Sequence, residues 1–222
     1  MLSACGFLPH HAETSTTTAL LQSVPKPEPV DSAFGNCGPE GSQPDYTLNR
    51  RKNRIDSAPP VPLPWSGIAR LGYPSAVGFR FRHQWTQRET DAIARFEGAS
   101  VPLEGYLVGV KLEIPEPPNC YSDDAAQRDF HLWLANAPNQ NKKNGIVVEV
   151  TPRIRVKHPA WTVERLDSLS RAGTLLRITG WLMFDQMHPE RVRVNRVSLW
   201  EVHPITRIEV KRDSAWVSLD TT

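Results

Sequence analysis

The sequence predicts an all-β fold with two short helices: a five-stranded barrel with one helix between strands three and four, behind a disordered N-terminal tail. Three observations carry this. Five runs of strand composition fall between residues 101 and 211, and the stretch between the third and fourth has helical caps and helical spacing. Glycines interrupt the strands where a sheet that closes on itself must bend. The first 64 residues carry ten of the twenty prolines, with Ser/Thr/Gly clusters such as ETSTTT and GNCGPEGSQP.

That composition sets the domain organisation. A segment so poor in apolar residues cannot offset the roughly 1–2 kcal/mol per residue of backbone entropy lost on ordering. Residues 1–64 are therefore expected to form a disordered tether, with polyproline geometry at KPEP and APPVPLP. Residues 65–100 read as a lead-in of irregular or short-strand structure, ending in a helix over about 87–97. Thr86 and Glu89 form its capping box, Ala92, Ile93 and Phe96 share a face, and Gly98 stops it. Residues 101–222 are the barrel domain.

Within the barrel, VPLEGYLVGVKLE (101–113) is strand one, with Gly105 and Gly109 as bend or bulge points. Strict alternation in DFHLWLA (129–135) puts Phe130, Leu132 and Leu134 on one face of strand two and Asp129, His131 and Trp133 on the other. The turn residues NAPNQNKKNG lead into strand three, IVVEVTPRIRV (146–156). Thr162 caps a helix over 162–172 whose Val163, Leu166 and Leu169 should plug one end of the barrel. Strands four and five form a hairpin across 174–211. This order is that of the OB-fold, with strand one between strands two and four; another small barrel or a sandwich edge shares the same local elements.

Charge and cysteine usage narrow the function. Net charge is +2, and from residue 101 onward sixteen Lys/Arg stand against fifteen Asp/Glu, so charge neither demands nor excludes a nucleic-acid partner. Within the tail, RRKNR (50–54) is a basic knot, read as a solvated run or a phosphate contact. Cys5, Cys37 and Cys120 have no CxxC spacing, which argues against a cysteine-built zinc site. A Cys37–Cys120 bridge fits only an oxidising compartment. No apolar run approaches the roughly 18 residues of a transmembrane helix. Residues 2–6 (LSACG) have the form of a lipobox. Membrane anchoring follows only if Cys5 is lipidated, which would place the protein outside the cytoplasm; as the sequence stands it reads as cytoplasmic.

Chemistry concentrates in paired acids and histidines. Asp129, His131, Asp185, His188, Glu201 and His203 are candidate ligands for a divalent metal such as zinc or manganese. His131, Glu149 and His203 are candidates for general acid–base work. Against these stands the plain reading that polar strand ends pair across strands. If strands two and three are antiparallel neighbours, His131 faces Glu149, and partial convergence of the acid–histidine groups is expected. Trp133, with Lys142, Lys143, Arg153 and Arg155 around it, is the candidate ligand surface, because such barrels bind oligonucleotides on strands two and three with stacking aromatics and scattered cations.

Four segments together resemble a group of uncharacterised bacterial OB-like proteins. They are Asp129-x-His131, Val148-Glu149-Val150, Ile178-Thr179-Gly180 followed by Asp185-x-x-His188, and Trp200-Glu201-Val202-His203-Pro204. The proteins they resemble carry D-x-H, V-V-E, V-T-G…D-x-x-H and W-E-I-H-P strands. The resemblance covers about residues 100–212 and implies the fold and these positions, not an activity. No G-x-S-x-G, H-E-x-x-H, P-loop or dinucleotide-binding glycine pattern occurs. The leading reading is a non-enzymatic binding module for single-stranded nucleic acid. The alternatives are a metal-dependent, nuclease-like hydrolase and an exported, lipid-anchored accessory protein binding protein or glycan.

Overall fold

The structure, a computed structural model, describes Phe34 and residues 36–222. The lipobox at residues 2–6 and most of the expected tether lie outside the described residues. Five strands close a barrel: β1 (Ser100–Leu112), β2 (Phe130–Ala135), β3 (Ile146–Val150), β4 (Leu175–Phe184) and β5 (Trp200–Arg212). Strand β1 pairs antiparallel with both β2 and β4, β2 with β3, and β4 with β5. A parallel contact at Val148 and Val202 joins β3 to β5 and completes the ring. With a helix between β3 and β4, this is the OB-fold.

Alternation fills the barrel. Leu132, Leu134, Val148, Val150, Ile178, Leu182 and Val202 face inward and are fully buried. The β1–β2 register shifts between Leu107 and Gly109. At Gly109 a Cβ would stand 2.9 Å from Trp133 Cε3, so the missing side chain lets the indole lie against β1. Helix α5 (Val163–Arg171) starts where Thr162 accepts from Arg165 N. It plugs the barrel with Leu166 buried and Val163 and Leu169 packed beside it, as their spacing predicts.

Several expectations are corrected. The described part of the expected tail is folded onto the barrel. It contains α1 (Tyr46–Lys52), capped by Asp45, and a Cys37–Cys120 disulfide. Composition misled here because this strap is held by polar side chains and alternation rather than by a core of its own. Asn49 Nδ2 donates to Glu40 O and Ser42 O, and Asn53 Nδ2 to Pro39 O and Pro118 O. Further on, Val61 and Leu63 alternate with prolines and bury their side chains against the barrel, with Val61 N donating to Ser100 O. The lead-in is helical rather than stranded: α2 (Trp65–Ala69), two 3-10 turns and α3 (Gln87–Ala94), which has the expected capping box. Strand three ends at Val150, not 156, because Pro152 has no N–H for a ladder and instead starts the one-turn helix α4 (Pro152–Arg155). Past the expected hairpin, β6 (Ala215–Ser218) folds back on β5.

Candidate functional site

The inward residues of β2, β3 and β5 fix what points outward, namely His131, Glu149, Glu201 and His203. His131 lies directly across from Glu149 in the register, as alternation predicts. Its Nδ1 is 3.1 Å from Glu149 Oε1 and 3.0 Å from Oε2 of Glu113, the residue that follows β1. His203 stands between carboxylates: Nδ1 is 3.1 Å from Glu149 Oε2 and 3.3 Å from Glu201 Oε1, and Nε2 is 3.5 Å from Asp129 Oδ2. Arg196 extends the chain, donating to Glu201 Oε2 at 2.6 Å and to Asp185 Oδ2 at 2.7 Å.

Convergence is thus wider than the sequence suggested. Asp129, His131, Glu149, Glu201 and His203 form one centre, and Asp185 is one guanidinium away. His188 is not part of it: it is exposed, 3.8 Å from Glu190. The centre is a buried network rather than an open cleft. Asp129, Glu201 and His203 are each 1% exposed and Glu149 4%. Its roof is the strap and the loop between β1 and β2. Lys52 Nζ lies 4.0 Å from Glu201 Oε1, and Asn119 Nδ2 donates to Asp129 Oδ1 at 2.8 Å.

The basic knot is only partly solvated: Lys52 and Arg54 are drawn into the protein, while Arg50 and Arg51 stay at the surface in ion pairs. Arg50 pairs with Glu40, Arg51 with Glu97 and Lys52 with Glu201, while Arg54 lies 3.4 Å above the Trp181 ring and pairs with Asp56. Nothing in the sequence pattern marked Lys52 or Arg196 as members of the centre. Glu113 was legible in principle, because Lys111 pairs with His131 in the β1–β2 register and an acid two residues on falls on the same face.

Burial works against the charge of His131, His203, Glu149, Glu113 and Lys52, and neighbouring charges oppose it. Burial would lower the His131 imidazole, yet Glu149 and Glu113 hold it up to about 9. His203 is likewise carried well above the ordinary range against burial, first by Glu149 and then by Asp129 and Glu201. Burial would raise Glu149, but His203 and His131 keep it well below the usual carboxylate range. Glu113 is held down to about 2 against burial by hydrogen bonds from His131 and Lys111. Glu116 goes the other way, up to about 8: burial raises it, Lys52 opposes, and Glu149 and Asp129 add to the rise. Lys52 stays cationic despite burial because Glu201, Glu149 and Asp185 surround it. Chemically, Asp129, Glu149 and His203 can each present one ligand atom within 4.8 Å of the others.

The outward face of β2 continues past His131 to Trp133. Its indole is 3% exposed and lies beneath Lys142, whose Nζ is 4.1 Å from the ring centroid, with Lys111 Nζ at 5.9 Å. The His131 ring packs alongside, centroids 4.3 Å apart. Lys142 and Lys143 are exposed on a 3-10 turn before β3. The two arginines of the expected surface both donate to backbone carbonyls, Arg153 from a buried position and Arg155 from a half-buried one. Arg153 is buried and donates to Cys37 O at 2.7 Å. Arg155 donates to Arg128 O and Ala126 O, and lies 4.1 Å above Phe130. Both clamp the strap and the β1–β2 loop. Trp181 and Trp200 are packing residues, 1% and 0% exposed.

No family model matches the chain, and no curated protein matches it. Among solved structures it is similar to the crystal structure of yeast Stn1 and Ten1, at 15% identity and a TM-score of 0.38. The match covers 70% of this chain and 65% of that chain. No helix among the described residues is long and apolar enough to cross a membrane.

Proposed function

We propose that this OB barrel is a binding module for single-stranded nucleic acid, engaged at the Trp133 end of the β2–β3 face. The observation that supports this is the exposed Lys142 lying over the Trp133 ring, with Nζ 4.1 Å from the centroid, beside the exposed Lys143 and with Lys111 Nζ at 5.9 Å. A base can stack on the indole where the ammonium now sits, and the displaced Lys142 can then move to a phosphate. Stacking of that kind contributes roughly 1–3 kcal/mol per base. Strands two and three are also where OB barrels take oligonucleotides. Hydrolysis at the acid–histidine centre would need a substrate path to atoms buried under Lys52 and the β1–β2 loop, whereas the group over the Trp133 ring is the exposed side chain of Lys142.

The test is fluorescence anisotropy with a labelled oligo-dT and a labelled oligo-U across a salt series. Salt-sensitive binding is expected. In the double variant Lys142→Glu/Lys143→Glu the slope of log K against log salt should fall by roughly 1.4, two phosphate contacts at about 0.7 each. No binding tighter than about 100 μM at low salt, or binding that the double variant leaves unchanged, refutes the assignment.

A further inference from the structure

We propose that Asp129, Glu149 and His203 hold a divalent transition-metal ion, zinc in the first place, set in the barrel wall beneath the strap. The three side chains come from separate elements: the residue before β2, the end of β3 and the first part of β5. Each can place one ligand atom within 4.8 Å of the other two. Asp129 Oδ2 and His203 Nε2 are buried and face each other at 3.5 Å without a well-formed hydrogen bond, and Glu149 Oε2 is likewise buried, 3.1 Å from His203 Nδ1, in residues that are 1%, 1% and 4% exposed. Such groups are normally satisfied in a folded interior.

The oxygens turned away from this point are already held. Asn119 donates to Asp129 Oδ1, His131 Nδ1 lies 3.1 Å from Glu149 Oε1, and Arg196 donates to Glu201 Oε2. That is the outer layer a metal site needs, in which ligand carboxylates are oriented by their second oxygen. His203 Nε2 and Asp129 Oδ2 are 3.5 Å apart. Two ligands on one tetrahedral ion with bonds of about 2.1 Å stand about 3.4 Å apart, so the spacing already suits zinc. With Nε2 on the metal, Glu149 Oε2 turns from its place 3.1 Å from His203 Nδ1 to the ion, and Nδ1–H is left facing Glu201 Oε1 at 3.3 Å, giving a carboxylate–histidine–metal arrangement. One imidazole with carboxylate oxygens suits zinc or manganese rather than a soft ion. The site is closed, so the ion enters during folding or when the strap lifts. Its role is to join β2, β3 and β5, not to present an open coordination position.

The experiment is to refold the full chain with zinc, remove free metal, and measure bound metal and melting temperature before and after prolonged chelation in mild denaturant. About one equivalent per chain is expected, with a melting temperature that falls on chelation. His203→Gln and Asp129→Asn should retain less than a tenth of that metal, while Glu209→Gln, remote from the site, retains all of it. Should the ligand variants fail to fold, cobalt in the unaltered protein supplies the independent readout, since a tetrahedral site gives visible absorption bands displaced by zinc. Sub-stoichiometric metal, no cobalt bands and a melting temperature indifferent to chelation would overturn the proposal and leave His203 as an imidazolium among carboxylates.

Discussion

Removing the Cys37–Cys120 bridge should detach the strap before anything else. The bridge joins residues 83 apart in sequence. Loop-closure entropy for that separation is about 15 cal/mol/K, which is about 4.6 kcal/mol at room temperature. For a domain of this size each kcal/mol shifts the midpoint by about 2–4 °C, so a Cys37→Ser/Cys120→Ser protein should melt about 9–18 °C lower. The matching urea experiment should show a lower midpoint. Local effects should be concentrated in α1, where Asn49 N and Asn53 N make their helical bonds to Asp45 O and Asn49 O. Their exchange protection should fall further than that of β4, whose ladders with β1 and β5 involve no strap residue. A loss below about 1 kcal/mol, with α1 protection intact, would refute the reasoning. It would mean that the polar side chains Asn49, Asn53 and Arg153 alone fix the strap.

Two further perturbations probe the shell around the barrel. Glu97 is 3% exposed, bonded by both Arg82 nitrogens at 2.7 and 2.6 Å and by Phe184 N; Glu97→Gln leaves the Arg82 guanidinium uncompensated and should cost about 3–5 kcal/mol in urea denaturation. Burial would raise Glu97, yet Arg82 and Arg51 keep it below its ordinary value. The unaltered protein should therefore have this stability above the unfolded carboxylate pKa of about 4.3 and lose it as pH falls further, and the difference from Glu97→Gln should narrow over that acid range. Leu166→Ala empties a fully buried position in α5 and should cost about 2–5 kcal/mol, read from the same denaturation curves.

What was legible in the sequence is what alternation and capping control. Phe130, Leu132 and Leu134 on one side of β2 put His131 on the other, where it can meet Glu149 if the strands are antiparallel neighbours; the register that sets the two directly opposite is seen only in the fold. Thr162 and the Val163, Leu166 and Leu169 spacing gave the barrel plug for a similar reason. Long-range polar closure was not legible. Arg196 reaches Glu201 and Asp185 from a loop, and Lys52 reaches the same site from the strap, and neither approach has a periodicity to detect. The strap was misread because its order resides in asparagine amides that bond to carbonyls and in one disulfide, which composition counts as polar and therefore as solvent-facing.

The strap and the acid–histidine centre depend on one another. Asp129, Glu149, Glu201 and His203 are on the outer side of the barrel, where water would ordinarily solvate them. Covering them costs desolvation that must be met by opposite charge inside the same volume. Lys52 brings one such charge from the strap, and Arg153 fixes the cover by donating to Cys37 O. The strap in turn has little apolar surface beyond Leu48 in α1 and cannot hold its shape away from the barrel. Each therefore stabilises the other. Trp133 stands outside that unit: its neighbours include Lys142, Lys111, His131 and the bare backbone of Gly109. The proposed ligand face and the part of the fold that the strap secures are in this way kept apart on one sheet, with His131 as the residue they share.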